Sequence, residues 1–223
     1  VIGRLPPAMV QLGLLMYVTG LGLGLGLGGL TVAAVGLGTA LSATLMGRLV
    51  DAFGPVPVVA GATLIQVSGL FLIHNLTPGL VAGETPSAML LLAAGLSGAA
   101  NPQIGPITRS HWSHLSRDRG EPKLVSHALG YEGAVDEMSF IVGPIAASFL
   151  VAILGPTPAL FTLMAIIVVG QGVFVVYLVA DRAAWNHRSL GKQSGEGRIP
   201  YLSLVPPMVV LLAVGTTFGA TQT

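Results

Sequence analysis

Long apolar runs, broken by short polar or proline- and glycine-containing interruptions, dominate the chain and set its class before any motif is read. A helical crossing of a bilayer's hydrocarbon core takes about 20 mostly apolar residues. Runs of that kind fall at 5–23, 29–46, 57–75, 87–107, 128–153, 158–180 and 204–223. The pattern predicts an all-α membrane protein with six spans bundled within 1–180 and a seventh span at 204–223. Between them, DRAAWNHRSLGKQSGEGRIPYLS at 181–203 mixes glycine, serine and charge with no apolar period, as expected of a polar linker. The opening VIGRLPPAMV and the ending FGATQT read as cuts inside a longer gene product.

One stretch departs from the helical pattern. GLGLGLGLGG at 20–29 alternates with period two, which in a soluble protein suggests a weak strand. A lone strand in lipid would leave its backbone unpaired. The expected structure is the end of span one followed by a tight turn, with glycines four apart that let helices approach closely.

Composition agrees with the membrane class. The 223 residues are 52% hydrophobic and 9% charged, against about 25% charged in a soluble domain. A net charge of +1 carried by scattered cations gives no basic face for nucleic acid. Without cysteine, neither a disulfide nor a thiolate metal site can form. His111 and His114 are three apart but have no third ligand patterned with them, so no metal and no cofactor is expected.

Charge placement orients the spans. With the order above, Arg4, Arg48, Arg109, Arg117, Arg119, Lys123, Arg182, Arg188, Lys192 and Arg198 fall on one side, and the connections at 24–28, 76–86 and 154–157 hold no Lys or Arg. Cationic loops are retained in the cytoplasm. The amino terminus and the cationic connections are therefore expected on the cytoplasmic side of a cell (plasma) membrane.

The chemistry concentrates in span five. GYEGAVDEMSFIVGP at 130–144 carries Glu132, Asp136 and Glu137 into an apolar run. Glu132 and Asp136, four apart, share a helical face. Arg109 returns beside them at the end of span four, near Trp112, whose expected role is interfacial anchoring. A span starting near Ser126 sets Glu132 about 9 Å and Asp136 and Glu137 about 15 to 17 Å along the helix axis. Three acids against one arginine leave a surplus of negative charge, and ionisable groups at membrane depth point to function. They read either as proton-relay or substrate-contact groups or as a structural charge network. Gln11, Gln66, Gln103 and Gln171 lie in other spans, where amides bond neighbouring helices or line a cavity. His74 and His127 lie near span ends, where a solvated histidine is the default.

The connection after span two reads GRLVDAFGPVPVV from Gly47 to Val59, and here the chain resembles the major facilitator superfamily. Gly47, Asp51 and Gly54 match that family's loop between spans two and three, with Arg48 beside them. Ala52 replaces its usual basic residue, and Pro55, Val56 and Pro57 replace its basic run. The resemblance implies that Asp51 latches two halves together on the cytoplasmic side; the residue alone reads equally as a turn or capping aspartate. Gly143–Pro144 in span five is similar to the Gly-Pro motif of the family's antiporters and invites a bend.

The resemblance implies a fragment of a twelve-helix secondary transporter: the six-span half plus the first span of a missing carboxy-terminal half. It implies proton-coupled efflux of a small molecule by alternating access, and favours Gln11 as a cavity-lining residue alongside Gln103. An enzyme is disfavoured, because Asp136 is the only aspartate inside a span and no HExxH or GxSxG pattern occurs. A membrane-embedded interaction protein, or an inactive transporter fragment, stays open as the alternative.

Overall fold

The computed structural model of the chain describes residues 3–180. The expected linker at 181–203 and seventh span at 204–223, with Arg182, Arg188, Lys192 and Arg198, lie outside the described residues. Seven α-helices fill the described part: α1 (Leu5–Gly20), α2 (Gly24–Phe53), α3 (Pro55–Val81), α4 (Ser87–Ala99), α5 (Ile104–Arg119), α6 (Pro122–Leu154) and α7 (Pro156–Ala180).

Glycine and proline punctuate them. Gly54 and Gly155 take φ of 84° and 82°, a region that side chains with a Cβ rarely enter. Each is followed by a proline at the first position of the next helix, where the missing N–H costs nothing. Gly120 at φ 65° ends α5, and the Glu121 amide donates back to the Ser116 carbonyl at 3.1 Å, as in a Schellman cap.

Several boundaries differ from the sequence reading. The turn inside the glycine repeat spans only Leu21–Leu23, and Gly24 already opens α2. At its other end α2 runs on to Phe53, so Gly47, Arg48 and Asp51 occupy its last turns rather than a loop. Only Gly54 of that motif is outside a helix, because no residue between 47 and 53 breaks a helix whereas Gly54–Pro55 does. The expected span at 87–107 is interrupted at residues 100–103 by Asn101–Pro102–Gln103, and α5 extends it to Arg119 through residues expected as a connection. α6 starts at Pro122, six residues before the expected 128.

Gly24–Phe53, Pro55–Val81, Lys123–Leu154 and Pro156–Ala180 are long and apolar enough to cross a membrane. α1 is apolar but has 16 residues. The 13 residues of α4 reach only about 20 Å at 1.5 Å per residue, short of a core about 30 Å thick.

α1 sits at the centre, packed on α2, α6 and α7, while α4 packs on α2 and α3, α3 on α7, and α5 on α6. The main core joins Leu14, Tyr17 and Val18 of α1 to Leu70 and Ile73 of α3, Leu90 of α4 and Ile167 of α7. α2 and α4 come closest: a Cβ on Gly38 would strike the Gly95 carbonyl, and one on Gly98 the Val35 carbonyl. Thr39 Oγ1 donates to the Gly98 carbonyl at 2.9 Å across the same seam. A second cluster joins Val50 of α2, Val56 and Val59 of α3, Ile107 of α5 and Phe174 and Leu178 of α7. That end of the bundle carries Arg48, two residues before Val50, and Arg109, two after Ile107; Gly3 packs there against Ile104 and Phe174, which brings Arg4 with it. At the opposite end Gly20 meets Pro156.

Candidate functional site

The cationic end holds the densest polar cluster among the described residues. Arg4 precedes the first turn of α1, Arg109 and Trp112 lie on α5, and Glu132 and Asp136 lie one turn apart on α6. Arg4 Nη1 donates to Asp136 Oδ1 and to the Glu132 carbonyl at 3.3 Å. Its Nη2 donates to Thr108 Oγ1 at 2.8 Å and lies 3.0 Å from Glu132 Oε2. Arg109 approaches from the open side, with Nη2 3.3 Å from Asp136 Oδ2 and Nε 3.5 Å from Glu132 Oε2. Trp112 Nε1 donates to Glu132 Oε1 at 3.0 Å.

Burial grades the members. The Arg4 and Glu132 side chains are 9% and 6% exposed, Asp136 32% and Arg109 51%. Arg4 and Glu132 thus form the fixed pair, and Arg109 is the partner that solvent reaches. Glu132 Oε2 is enclosed and lies beside two guanidinium groups, yet out of line with their N–H bonds, so it holds no hydrogen bond.

The arrangement brings Arg109, Glu132 and Asp136 together and leaves Glu137 out, exposed on another face of α6. In place of a surplus of negative charge, the cluster pairs two cations with two carboxylates. Arg4, some 128 residues from Glu132 in sequence, supplies the balance that one nearby arginine did not.

The other sequence-selected residues are dispersed. Asp51 is exposed, and α3 has no side-chain cap, so Asp51 does not cap the turn that it borders. Helix α6 continues unbroken through Gly143 and Pro144, and Gly143 lies so close to Ala8 of α1 that a Cβ would meet it at 2.8 Å. Gln11 is exposed on α1, and Gln103 is half-buried in the break between α4 and α5.

Two polar groupings join residues that the sequence offered only singly. Gln171 Nε2 donates to Gln66 Oε1 at 2.9 Å, Gln66 Nε2 faces Asn101 Oδ1 at 3.5 Å, and Ser97 Oγ donates to the Gln66 carbonyl at 3.1 Å. These amides brace the interruption between α4 and α5. His74 lies inside α3, which runs on to Val81, and it meets Tyr17 Oη at 2.9 Å with Thr77 Oγ1 also 2.9 Å from that hydroxyl. A polar residue in each of several apolar runs was the only available signal, and it does not say which runs become neighbours.

The chain matches the family described as Major Facilitator Superfamily over residues 7–223. It belongs to that superfamily. No curated protein and no solved structure gives a match. As a major facilitator protein it is a multi-pass membrane protein of a transporter family, acting in a lipid bilayer on a small-molecule substrate. The superfamily assignment accounts for the apolar helices; the Arg4–Arg109–Glu132–Asp136 cluster is where this chain's own ionisable groups converge.

Proposed function

We propose that the protein is a proton-coupled secondary transporter that expels a small molecule across the plasma membrane by alternating access, with its amino terminus and cation-bearing end in the cytoplasm. The described helices form six spans, α4 and α5 acting as one interrupted crossing. The linker at 181–203 leads into a second half beginning at 204–223 and completed by further helices. The observation that carries this reading is the balanced ion cluster tying α1, α5 and α6 at one end of the bundle.

In that cluster Asp136 is about a third exposed, and its charge holds both arginines. Protonating it removes one anion from a two-against-two balance and frees Arg109, loosening α5 from α6. Differential stabilisation of two arrangements by a proton is what coupling requires. Glu137, exposed one residue on, is a second proton acceptor. Asp51, exposed at the end of α2, latches the halves; Gln11, on the open side of α1, and Gln103 line the pathway; Gly143–Pro144 lets α6 flex against α1.

The test is reconstitution of the full-length protein into proteoliposomes with an imposed pH gradient and trapped pyranine. A panel of small amines, carboxylic acids, sugars and amino acids is added in turn. At least one compound is expected to drive proton movement in the wild type, lost in Asp136→Asn and in Glu137→Gln while folding is kept. Proton movement unchanged in both variants removes the coupling role. No response to any compound favours a membrane-embedded interaction protein instead.

A further inference from the structure

Tyr17, His74, Thr77 and Phe161 meet near the end of the bundle opposite the ion cluster. Tyr17 lies in the last turn of α1, His74 and Thr77 in the last turns of α3, and Phe161 in the second turn of α7. Thr77 Oγ1 donates to the His74 carbonyl at 2.6 Å. The Tyr17 and Thr77 hydroxyl oxygens are 2.9 Å apart, and Tyr17 Oη lies 2.9 Å from His74 Nδ1.

Three hydrogen bonds need three protons, and the two hydroxyls supply two. A carbonyl can only accept, so the Thr77 proton points to the His74 carbonyl and Thr77 Oγ1 accepts from Tyr17. The Tyr17 proton is then spent, and the third bond requires a proton on His74 Nδ1. Donation therefore runs in a circle from the His74 ring through Tyr17 and Thr77 back to the His74 backbone. The hydrogen bond made by one ring nitrogen decides the role of the other, which leaves Nε2 as the base of the neutral ring. Nε2 has no hydrogen-bond partner among the described residues and is not enclosed; His74 as a whole is half-buried. The Phe161 ring stands beside it, with centroids 4.9 Å apart and planes at 71°.

No counter-ion faces this ring. Tyr17 is the titratable group that α1 presents to it and Phe161 the side chain from α7, while α4 carries no Asp, Glu, Lys or Arg and those of α2, Arg48 and Asp51, lie at its other end. Glu84, exposed in the connection after α3, is the one charged side chain of the described residues at this end.

We propose that His74 Nε2 is a second proton-binding site, serving the side of the membrane opposite the Arg4–Asp136 cluster. It deepens the transport reading above and rests on it. A proton arriving at Nε2 leaves all three hydrogen bonds of the circle intact, because Nδ1 is a donor before and after. What changes is charge. A cation without a partner is costly away from water, so the protonated ring favours the arrangement in which water reaches this end of the bundle. A proton taken up here thus biases the two-arrangement equilibrium from the face opposite the one where Asp136 acts.

The test is nitrogen NMR of the full-length protein in detergent with ¹⁵N-labelled histidine. The chain has five histidines, and His74→Asn, whose amide N–H can replace the Nδ1 donor, identifies the signals of His74 by their loss. Between about pH 8 and about pH 5, the range over which histidines change charge, Nδ1 is expected to keep its proton throughout. Nε2 is expected to be bare at the upper limit and to shift upfield as it takes a proton. Tyr17→Phe removes the acceptor of the Nδ1 proton, so the neutral ring of that variant should no longer hold its proton on Nδ1 alone. An Nε2 that carries the proton near pH 8, an Nε2 still bare near pH 5, or a Tyr17→Phe pattern identical to wild type overturns the proposal. In oriented proteoliposomes, acid applied at the face opposite the cationic end should speed substrate-driven proton movement in the wild type, and His74→Asn should lose that acceleration; acceleration kept in the variant also overturns the proposal. Titration of Nε2 as expected, with no proton movement for any compound in the pyranine assay, upholds the site and removes the coupling reading. Proton movement that is lost in Asp136→Asn, together with an Nε2 that does not titrate, removes this inference alone.

Discussion

Within the ion cluster the two arginines have unequal tasks. Arg4 is almost enclosed and touches Glu132, Asp136 and Thr108 at once, so its removal leaves Glu132 enclosed with the Trp112 N–H and one distant, half-exposed cation. Breaking a buried pair by deleting one member typically costs about 3 to 5 kcal/mol. Arg109 is 51% exposed, with its closest carboxylate contact at 3.3 Å, and pairs of that kind contribute about 0 to 1 kcal/mol. Arg4→Met is therefore expected to lower the thermal unfolding midpoint in detergent clearly, and Arg109→Met hardly at all. Equal losses in the two variants would show that Arg109 is held as firmly as Arg4, and the unequal division of the cluster between them would fail. Asp136, a third exposed, lies between these extremes, which suits a group that must both hold a partner and meet solvent.

At the scale of helices, the α2–α4 seam is set by glycines that sequence alone does not single out. Gly98 faces the Val35 backbone, which cannot move aside as a flexible side chain can, so overpacking there should cost about 1 to 3 kcal/mol. Gly61, on α3, has open space where its Cβ would be, and a helix interior there gains about 0.5 to 1 kcal/mol from alanine. Gly98→Ala should lower the unfolding midpoint and Gly61→Ala leave it level or raise it; a reversed order would mean that the seam is not the tight one. The contrast marks where the sequence was legible. Apolar length located the helical regions, and Gly54–Pro55 and Gly155–Pro156 showed two of the turns, since these are local backbone constraints. The four-residue spacing of Glu132 and Asp136, with Arg109 at the end of the preceding region, was likewise readable because it follows from helix geometry. Arg4 was not, because its partnership depends on α1 packing against α6, a contact that no spacing encodes. The interruption at Asn101–Pro102 was masked by the apolar residues on both sides, and Gln66 and Gln171, which brace it, sit in runs whose neighbours are fixed only by the tertiary arrangement.

For the whole molecule, the open question is how often the chain passes through the bilayer, and α4 with α5 decides it. α4 alone reaches about 20 Å, too little for a core about 30 Å thick, and α5 is polar beyond Ile107. The two together cross only if the Asn101–Gln103 interruption lies inside the protein. There, Gln66 Nε2 faces Asn101 Oδ1 at 3.5 Å, and backbone at membrane depth must find internal partners. The buried position of Pro102 and the enclosed Gln66–Gln171 pair favour that arrangement. The chain contains no cysteine, so single cysteines can be introduced without background at Ala52, Ser87 and Glu121, all exposed. With a membrane-impermeant maleimide, Ala52→Cys and Glu121→Cys should label from the cytoplasmic face, and Ser87→Cys from the opposite one. If Ser87→Cys and Glu121→Cys label from the same face, α4 and α5 do not cross. The cluster at Arg4 and Asp136 would then share a side with the region holding Ser87, and the separation of cations from the uncharged connections, on which the inward orientation depends, would be lost.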